Sequence, residues 1–215
     1  MKSSPAYQEK NKNSFTQIIK KSWNYLWNGD SLLSWALFMV IVFLIIKFIF
    51  FPMLSFVTGT NLPIVIVESC SMHHNPADLE KWWSENKDWY EPRGITQDDF
   101  ESFPINTGFT KGDIFFVVGA KKTNIEVGDT IIFSSGISNR PIIHRIVGLD
   151  PISTKGDNNA LQFTSTNNPE KIDEINISES QIIGKATSFR IPFLGWIKLI
   201  FYEPFRSPGE RGLCE

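Results

Sequence analysis

This chain contains few cysteines and histidines and has a small net charge, and each of these facts excludes a class of protein. There are 2 cysteines and 3 histidines in 215 residues, and the formal net charge is −2. A nearly neutral chain offers no polybasic surface, so nucleic acid is not expected as a partner. Cys70 and Cys214 are too far apart to indicate a disulfide framework, and they favour a free thiol. The three histidines lack metal-ligand spacing, so neither a metal nor another cofactor is expected.

Residues 32–51 form the one long apolar run, and Lys47 is its only charge. Its length matches the roughly 20 residues that a helix needs to cross the hydrocarbon of a bilayer. No small-residue cleavage site is present, so the run is predicted to be an uncleaved transmembrane helix and not a signal peptide. Lysines before the run predict a cytoplasmic N-terminus, which leaves everything after about Ser55 outside.

These features divide the chain into four expected segments of a single-pass protein of the cell membrane. Residues 1–31 are predicted to be a basic cytosolic tail, mobile as far as Lys21, that leads into an interfacial stretch. Residues 32–58 are the membrane helix and its exit, and residues 59–188 are an extracytoplasmic domain with an insertion at 77–106. Residues 189–215 are apolar but interrupted by proline and glycine, which predicts a membrane-proximal segment next to the lipid bilayer.

The external domain is predicted to be mainly β. Its short runs of β-branched and aromatic residues are separated by Gly, Asp, Asn and Pro, as strands are separated by turns. The predicted strands are 64–67, 114–118, 130–133, 142–147 and 182–186. The insertion is rich in acids and aromatics, and a short helix is expected at 77–87. Packing of these aromatics on the sheet is favoured over a membrane-facing rim, because net acidity opposes contact with anionic lipid.

The stretch VESCSMHH, residues 67–74, raises the question of chemistry because Ser69, Cys70 and Ser71 are all capable of nucleophilic attack. Serine needs a base, and the base needs a third group to hold it. In an extended segment Cys70 points away from the side that the two serines share, although a thiol nucleophile stays an alternative. His144 is a candidate base within a predicted strand, where an isolated histidine is more often a satisfied core or edge residue. The nearby Gly-Asp-Asn turn places Asp157 where a carboxylate can accept the imidazole N–H.

Four motifs, in this order, resemble those of type I signal peptidases. They are Ser69-x-Ser71-Met72, Lys111-Gly112-Asp113, Ile143-His144-Arg145 and Thr154-Lys155-Gly156-Asp157-Asn158-Asn159. A histidine in place of the lysine base is the archaeal and endoplasmic-reticulum pattern, which uses Ser, His and Asp. The resemblance covers residues 32–203, and the two lysines within the motifs are interpreted as solvated turn residues.

The resemblance implies a membrane-bound serine endopeptidase that removes signal peptides from exported preproteins on the outer face of the membrane. Ser71 would be the nucleophile, His144 the general base and Asp157 the orienting acid. Ser69 would offer its hydroxyl to the oxyanion, and Met72 would pack beside the site. Signal-peptide-bearing preproteins and the translocation machinery are the implied partners.

The chain departs from the family's pattern at two places. Cys70 replaces the glycine that usually separates the two serines. The family's second acid, a few residues beyond the Gly-Asp-Asn turn, is missing, and the next acids are Glu170, Asp173 and Glu174. Of these, Asp173 is the alternative orienting acid. Both departures favour a rival interpretation, a catalytically inactive membrane-anchored β domain that binds exported chains or a partner.

Overall fold

A computed structural model describes residues 5–75, 77–135, 140–168 and 172–214, with side chains from residue 16 onward. The chain divides into two compact units, Met1–Leu54 and Ser55–Glu215. Each unit is built from elements that the local sequence explains, and the two are described in turn.

Helices alone make up the first unit and the entry to the second. They are α1 at Pro5–Asn28, α2 at Leu32–Ile45, a π-helical turn at Ile46–Phe50 and α3 at Phe51–Thr58. The Ser31 side chain caps α2 by accepting a hydrogen bond from the backbone N–H of Ser34 at 3.1 Å. Together 32–58 form a 27-residue helix of mean hydropathy 2.8, with none of its apolar window buried. Within the described residues it is the one helix long and apolar enough to cross a membrane, which confirms the predicted fold class.

Helix α1 corrects the prediction of a mobile tail as far as Lys21. The helix begins at Pro5 and continues to Asn28, so it covers most of the stretch that was expected to be mobile. No glycine or proline occurs between Ala6 and Asn28, so nothing in the backbone interrupts a helix once it has started. Residues 1–4 of the expected tail lie outside the described residues.

A six-stranded antiparallel sheet forms the second unit. Its strands are β1 at Ile64–Ile66, β2 at Ile114–Val118, β3 at Thr130–Phe133, β4 at Ile142–Leu149, β5 at Ile152–Lys155 and β6 at Ile182–Ile191. Their order across the sheet is β1-β2-β6-β3-β4-β5. The mainly β prediction is confirmed, although β5 was mistaken for part of a turn. A bulge between Ile146 and Gly148 offsets β5 against β4, and polar residues break its apolar pattern.

Short helices occupy the insertion and the end of the chain. They are α4 at Leu79–Tyr90, α5 at Gln97–Ser102 and α6 at Trp196–Leu199, with 3-10 turns at Glu91–Arg93, Lys122–Asn124, Glu179–Gln181, Glu203–Phe205 and Pro208–Glu210. Asp78 caps α4 through the N–H of Lys81, so this helix begins two residues later than expected and continues to Tyr90. Thr96 and Asp99 form a capping box on α5.

The aromatics of the insertion are core residues. Trp82, Trp83, Tyr90 and Phe100 are at most 3% exposed and contact one another with ring centroids 5.0 to 6.0 Å apart. Two further apolar clusters lie on the sheet, one around Phe115 and the other around Ile131. The structure therefore confirms the prediction that the aromatics of the insertion are packed in the protein interior.

A disulfide joins Cys70 to Cys214 across 144 residues, so the expectation of a free thiol is wrong. The pairing requires the segment after β6 to return to the loop after β1. Nothing local in the sequence reveals that return, because each cysteine stands alone in its own segment.

Candidate active site

The loop that carries Ser71 follows β1 directly and is held by backbone hydrogen bonds on several sides. The Ser71 carbonyl accepts from the N–H of Asn158 at 2.8 Å, and the Met72 carbonyl accepts from the N–H of Phe109 at 2.9 Å. Within the loop, the His73 N–H donates to the Cys70 carbonyl at 3.0 Å. Since neighbouring turns fix these carbonyls, the Ser71 side chain projects from a supported backbone.

Ser71 and His144 meet although 73 residues separate them in sequence. The Ser71 hydroxyl oxygen lies 2.8 Å from His144 Nε2, within hydrogen-bond distance. His144 lies on β4 opposite Ile131 of β3 and is 3% exposed, so the strand and the burial limit its ring to few orientations. The Ser69 hydroxyl lies 3.1 Å from that of Ser71. The two serines therefore share one side of the loop, as expected, although residues 69–72 form bends and a turn and not an extended strand.

Glu174 is the carboxylate that contacts the other ring nitrogen of His144. Its Oε1 makes a short contact with Nδ1, and the Glu174 side chain is fully buried. Oε1 also accepts from the Thr154 hydroxyl at 3.2 Å, and Oε2 accepts from the Phe163 N–H at 2.7 Å. The arrangement is a serine, an imidazole and a carboxylate in line, which is the geometry that activates a hydroxyl for nucleophilic attack.

The expected contact of Asp157 with His144 is not the one that the structure forms. Asp157 is fully buried and accepts from Arg145, with Nη2 at 2.8 Å and Nε at 3.0 Å. His74 Nε2 lies 2.9 Å from the same carboxylate. Burial alone would raise the pKa of Asp157, but the Arg145 charge and the hydrogen bonds from His74 and Arg145 hold it well below its usual range.

Asp173, the alternative acid, also points elsewhere. Its side chain is exposed and accepts from the backbone N–H of Ile175 at 3.0 Å. Adjacent residues in extended backbone point to opposite sides, so Glu174 faces inward where Asp173 faces solvent. Glu170 lies outside the described residues. The sequence named all three acids, and a choice among them required knowing which one the loop turns toward β4.

Cys70 and Met72 flank Ser71 in different ways. The Cys70 sulfur is engaged in the disulfide, which rules out the alternative of a thiol nucleophile in this structure. Met72 is 1% exposed and packs with Val67 and Phe109, and its sulfur accepts from the Asp157 N–H at 3.3 Å. Met72 therefore lies beneath the loop, where the resemblance had it packing.

Lys111 and Lys155 are buried, so their interpretation as solvated turn residues is wrong. Lys155 is 1% exposed, and its ammonium donates to the carbonyls of Gly156 and Asp157 at 3.0 and 3.3 Å. Burial lowers the pKa of Lys155 to about 8. The ammonium also lies over the rings of Trp89 and Tyr90, which the sequence could not place there. Within the described residues, no group of three or more potential metal ligands occurs.

Comparison with known proteins finds several similar sequences, and two of them carry the same description. The chain is 27% identical over 163 residues to the signal peptidase complex catalytic subunit SEC11 of Eremothecium gossypii. The aligned region covers 73% of this chain and 75% of that protein. It is 28% identical over 117 residues to the signal peptidase complex catalytic subunit SEC11 of Pyricularia oryzae, spanning 51% and 66% respectively. No protein-family model matches the chain.

Proposed function

We propose that this chain, whose similarity to two SEC11 subunits supports the type I signal peptidase family, is a membrane-bound serine endopeptidase that removes signal peptides from exported preproteins. One observation carries the proposal: the Ser71 hydroxyl lies 2.8 Å from His144 Nε2 while a buried carboxylate contacts Nδ1. Similarity to the SEC11 subunits supports signal peptide processing as the use of that geometry.

In the proposed mechanism, His144 removes the proton from Ser71 as the serine oxygen attacks the carbonyl of the scissile peptide bond. Glu174 takes the orienting role that the resemblance gave to Asp157, because it holds the N–H of Nδ1 and stabilises the imidazolium that forms. The imidazolium then gives its proton to the leaving amine, and water hydrolyses the acyl-enzyme with His144 again as base. Each donor aimed at the oxyanion, such as the Ser69 hydroxyl, is worth about 3 kcal/mol.

The substrate is proposed to bind as an extended strand at the free side of β1. Among the described strands, β1 pairs with β2 alone, so its other side offers unpaired backbone groups. Ser71 follows the end of β1 by five residues, so a peptide added there would present its backbone close to the nucleophile. Small pockets for alternate side chains would select the small residues of a signal-peptide cleavage site.

The proposed topology puts the N-terminus in the cytoplasm and the catalytic domain outside the cell membrane. The disulfide supports an oxidising compartment for this domain, since cytosolic thiols are kept reduced. Residues 189–215 are proposed to lie near the lipid bilayer, because several large apolar side chains there are more than half exposed: Phe189, Phe193, Ile197, Ile200, Phe201 and Phe205. Signal-peptide-bearing preproteins and the translocation machinery are the proposed partners, and the SEC11 relatives are by name subunits of a complex.

Cleavage of a membrane-inserted preprotein by the purified full chain in detergent tests the proposal. Wild type and Ser84→Ala, a change on the exposed face of α4, should release mature product at similar rates. Ser71→Ala should lower the rate by about 10³-fold or more, because the nucleophile is removed. Wild type that is folded and binds the preprotein but releases no product would instead establish the rival, a catalytically inactive binding domain.

A further inference from the structure

The segment 203–214, here called the C-terminal strap, is attached on both sides of Ser69. On one side, Arg206 Nη2 donates to Glu68 Oε2 at 2.8 Å and Nη1 donates to the Glu68 carbonyl at 2.9 Å. On the other side, the disulfide fastens Cys214 to Cys70. The three residues that lead into Ser71 are thus held by a segment more than 130 residues away in sequence.

A buried cation anchors the strap itself. Lys111 is fully buried, and its ammonium donates to Glu203 Oε2 at 2.8 Å and to the carbonyls of Glu210 and Gly212 at 2.7 and 3.1 Å. The Gly212 N–H in turn donates to Glu203 Oε2 at 2.8 Å. A buried charge is tolerated only where its donors are satisfied, so these acceptors fix the path of the strap.

The opposite side of the nucleophile loop is held by the turn after β5. Asn158 donates its backbone N–H to the Ser71 carbonyl at 2.8 Å and its side-chain amide to the Cys70 carbonyl at 3.1 Å. The loop is therefore clamped between this turn and the strap. The turn binds the carbonyls of Cys70 and Ser71, whereas the strap binds the backbone at Glu68.

We propose that the strap positions the Ser69 and Ser71 hydroxyls, with Arg206 and the Cys70–Cys214 disulfide as its positioning groups. The inference rests on the proposed peptidase function and adds a requirement to it: full turnover needs the oxidised chain. Nucleophilic attack depends on geometry closely enough that a misplacement of about 1 Å costs on the order of 100-fold in rate. Loss of either attachment removes support from one side of Ser69 while the His144–Glu174 contact stays in place.

The first experiment compares the oxidised and the reduced full chain in detergent, with the thiol state verified by mass. Reduction should lower kcat for preprotein cleavage by roughly 10- to 100-fold and leave KM nearly unchanged, and reoxidation should restore kcat. Hydrogen exchange should accelerate at the His73 amide, which bonds to the Cys70 carbonyl, and stay unchanged at Ile131 within the sheet. A reduced chain that keeps its full kcat overturns the proposal.

Arg206→Gln tests the strap with the disulfide intact. This variant therefore tests the positioning role even if reduction unfolds the whole domain. It should lower kcat by roughly 10-fold with little change in KM, because the support at Glu68 is lost. The matched control is Arg93→Gln, an exposed arginine that stacks on Trp89 in the insertion and should keep wild-type turnover. Equal kcat values for the two variants overturn the positioning role.

Failure of the peptidase proposal can be recognised separately. If the oxidised wild type cleaves no preprotein, the proposed function fails, and the exchange measurement then decides the strap alone. An exchange rate at the His73 amide that is the same before and after reduction overturns the strap's hold on the loop.

Discussion

Two histidine–carboxylate pairs lie in the β domain, and they differ in what surrounds them. Both histidines are 3% exposed as whole residues, and both carboxylates are fully buried. His144 has the Ser71 hydroxyl on its second nitrogen, whereas the ring of His74 stacks on Trp82 with centroids 3.9 Å apart. The carboxylate of the second pair, Asp157, is additionally bound by Arg145.

The two histidine–carboxylate pairs differ in their neighbours, and this difference supports a different proposed role for each. Glu174 meets no arginine in the contacts described for it, and it is available to stabilise a charge that appears on His144. Asp157 already neutralises the permanent charge of Arg145, and the aromatic stack fixes His74. We therefore propose a catalytic role for the His144 pair and a supporting role for the His74 pair, at the turn that holds Ser71.

Replacing each histidine in turn should give the largest contrast. His144→Ala should lower preprotein cleavage by about 10³-fold or more, since Ser71 loses its base. His74→Ala should leave the turnover of the folded protein near wild type but cost about 2 kcal/mol of stability, because a buried hydrogen bond and a ring stack are lost. Cleavage assays with denaturant unfolding of both variants provide the check, and loss of turnover in folded His74→Ala would contradict the assignment.

The adjacent acids offer a closer comparison. Glu174→Gln should lower kcat by roughly 10²- to 10⁴-fold, because the amide favours the wrong imidazole tautomer and no longer stabilises the imidazolium. Asp173→Asn, one residue earlier and exposed, should behave as wild type. Steady-state kinetics of the two variants test this, and the opposite ranking would return the orienting role to Asp173.

Asp157→Asn should act on stability. The change leaves Arg145 buried without its counter-charge, which costs about 3 to 5 kcal/mol in free energy of unfolding. Because the folded pKa of Asp157 is lowered, its contribution to stability is present above the ordinary pKa of 3.8 and is lost as the pH falls toward the folded value. Urea unfolding from pH 7 to pH 3 should show this acid-dependent loss in wild type and in the exposed control Asp150→Asn. A variant as stable as its control at pH 7 would refute the claim.

Lys155→Met should give the smallest effect, visible as a change in pH dependence. The folded pKa of about 8 lies below the ordinary 10.5, so between these values the unfolded chain binds more protons and this lysine makes stability rise with pH. The complete rise, at pH values above both pKa values, is about 3 kcal/mol. It is best measured from pH 7 to pH 10, because the raised pKa of Tyr90 opposes it at higher pH. If the free energy of unfolding changes equally with pH in wild type and variant between pH 7 and pH 10, burial does not lower the pKa of Lys155.

The sequence predicted the elements well where local pattern decides them. The membrane-length helix, the main strands and the packing of the insertion all follow from runs of apolar residues and turn signals. The pairing of Ser71 with His144 follows from the need of a serine for a base, from the presence of only three histidines and from the resemblance to signal peptidases. Their proximity in the structure agrees with that choice, and their catalytic roles stay a proposal.

What the sequence could not predict are contacts that depend on a loop's exact path. Glu174 and Asp173 differ by one position, and a shift of one residue exchanges the inward and outward side chains. Lys111 and Lys155 look like surface residues in their motifs, but distant segments supply the carbonyls that bind Lys111 and the rings that cover Lys155. The same holds for the disulfide, whose two halves share no local signal.

The disulfide has a consequence for the order of biosynthesis. The ribosome adds Cys214 long after Cys70, and at about 5 to 20 residues per second the 144 residues between them take roughly 7 to 30 s. During that interval the first thiol must wait for a partner that has not been made. A chain interrupted after residue 174 but before residue 214 would carry Ser71, His144 and Glu174 yet lack the covalent link beside them.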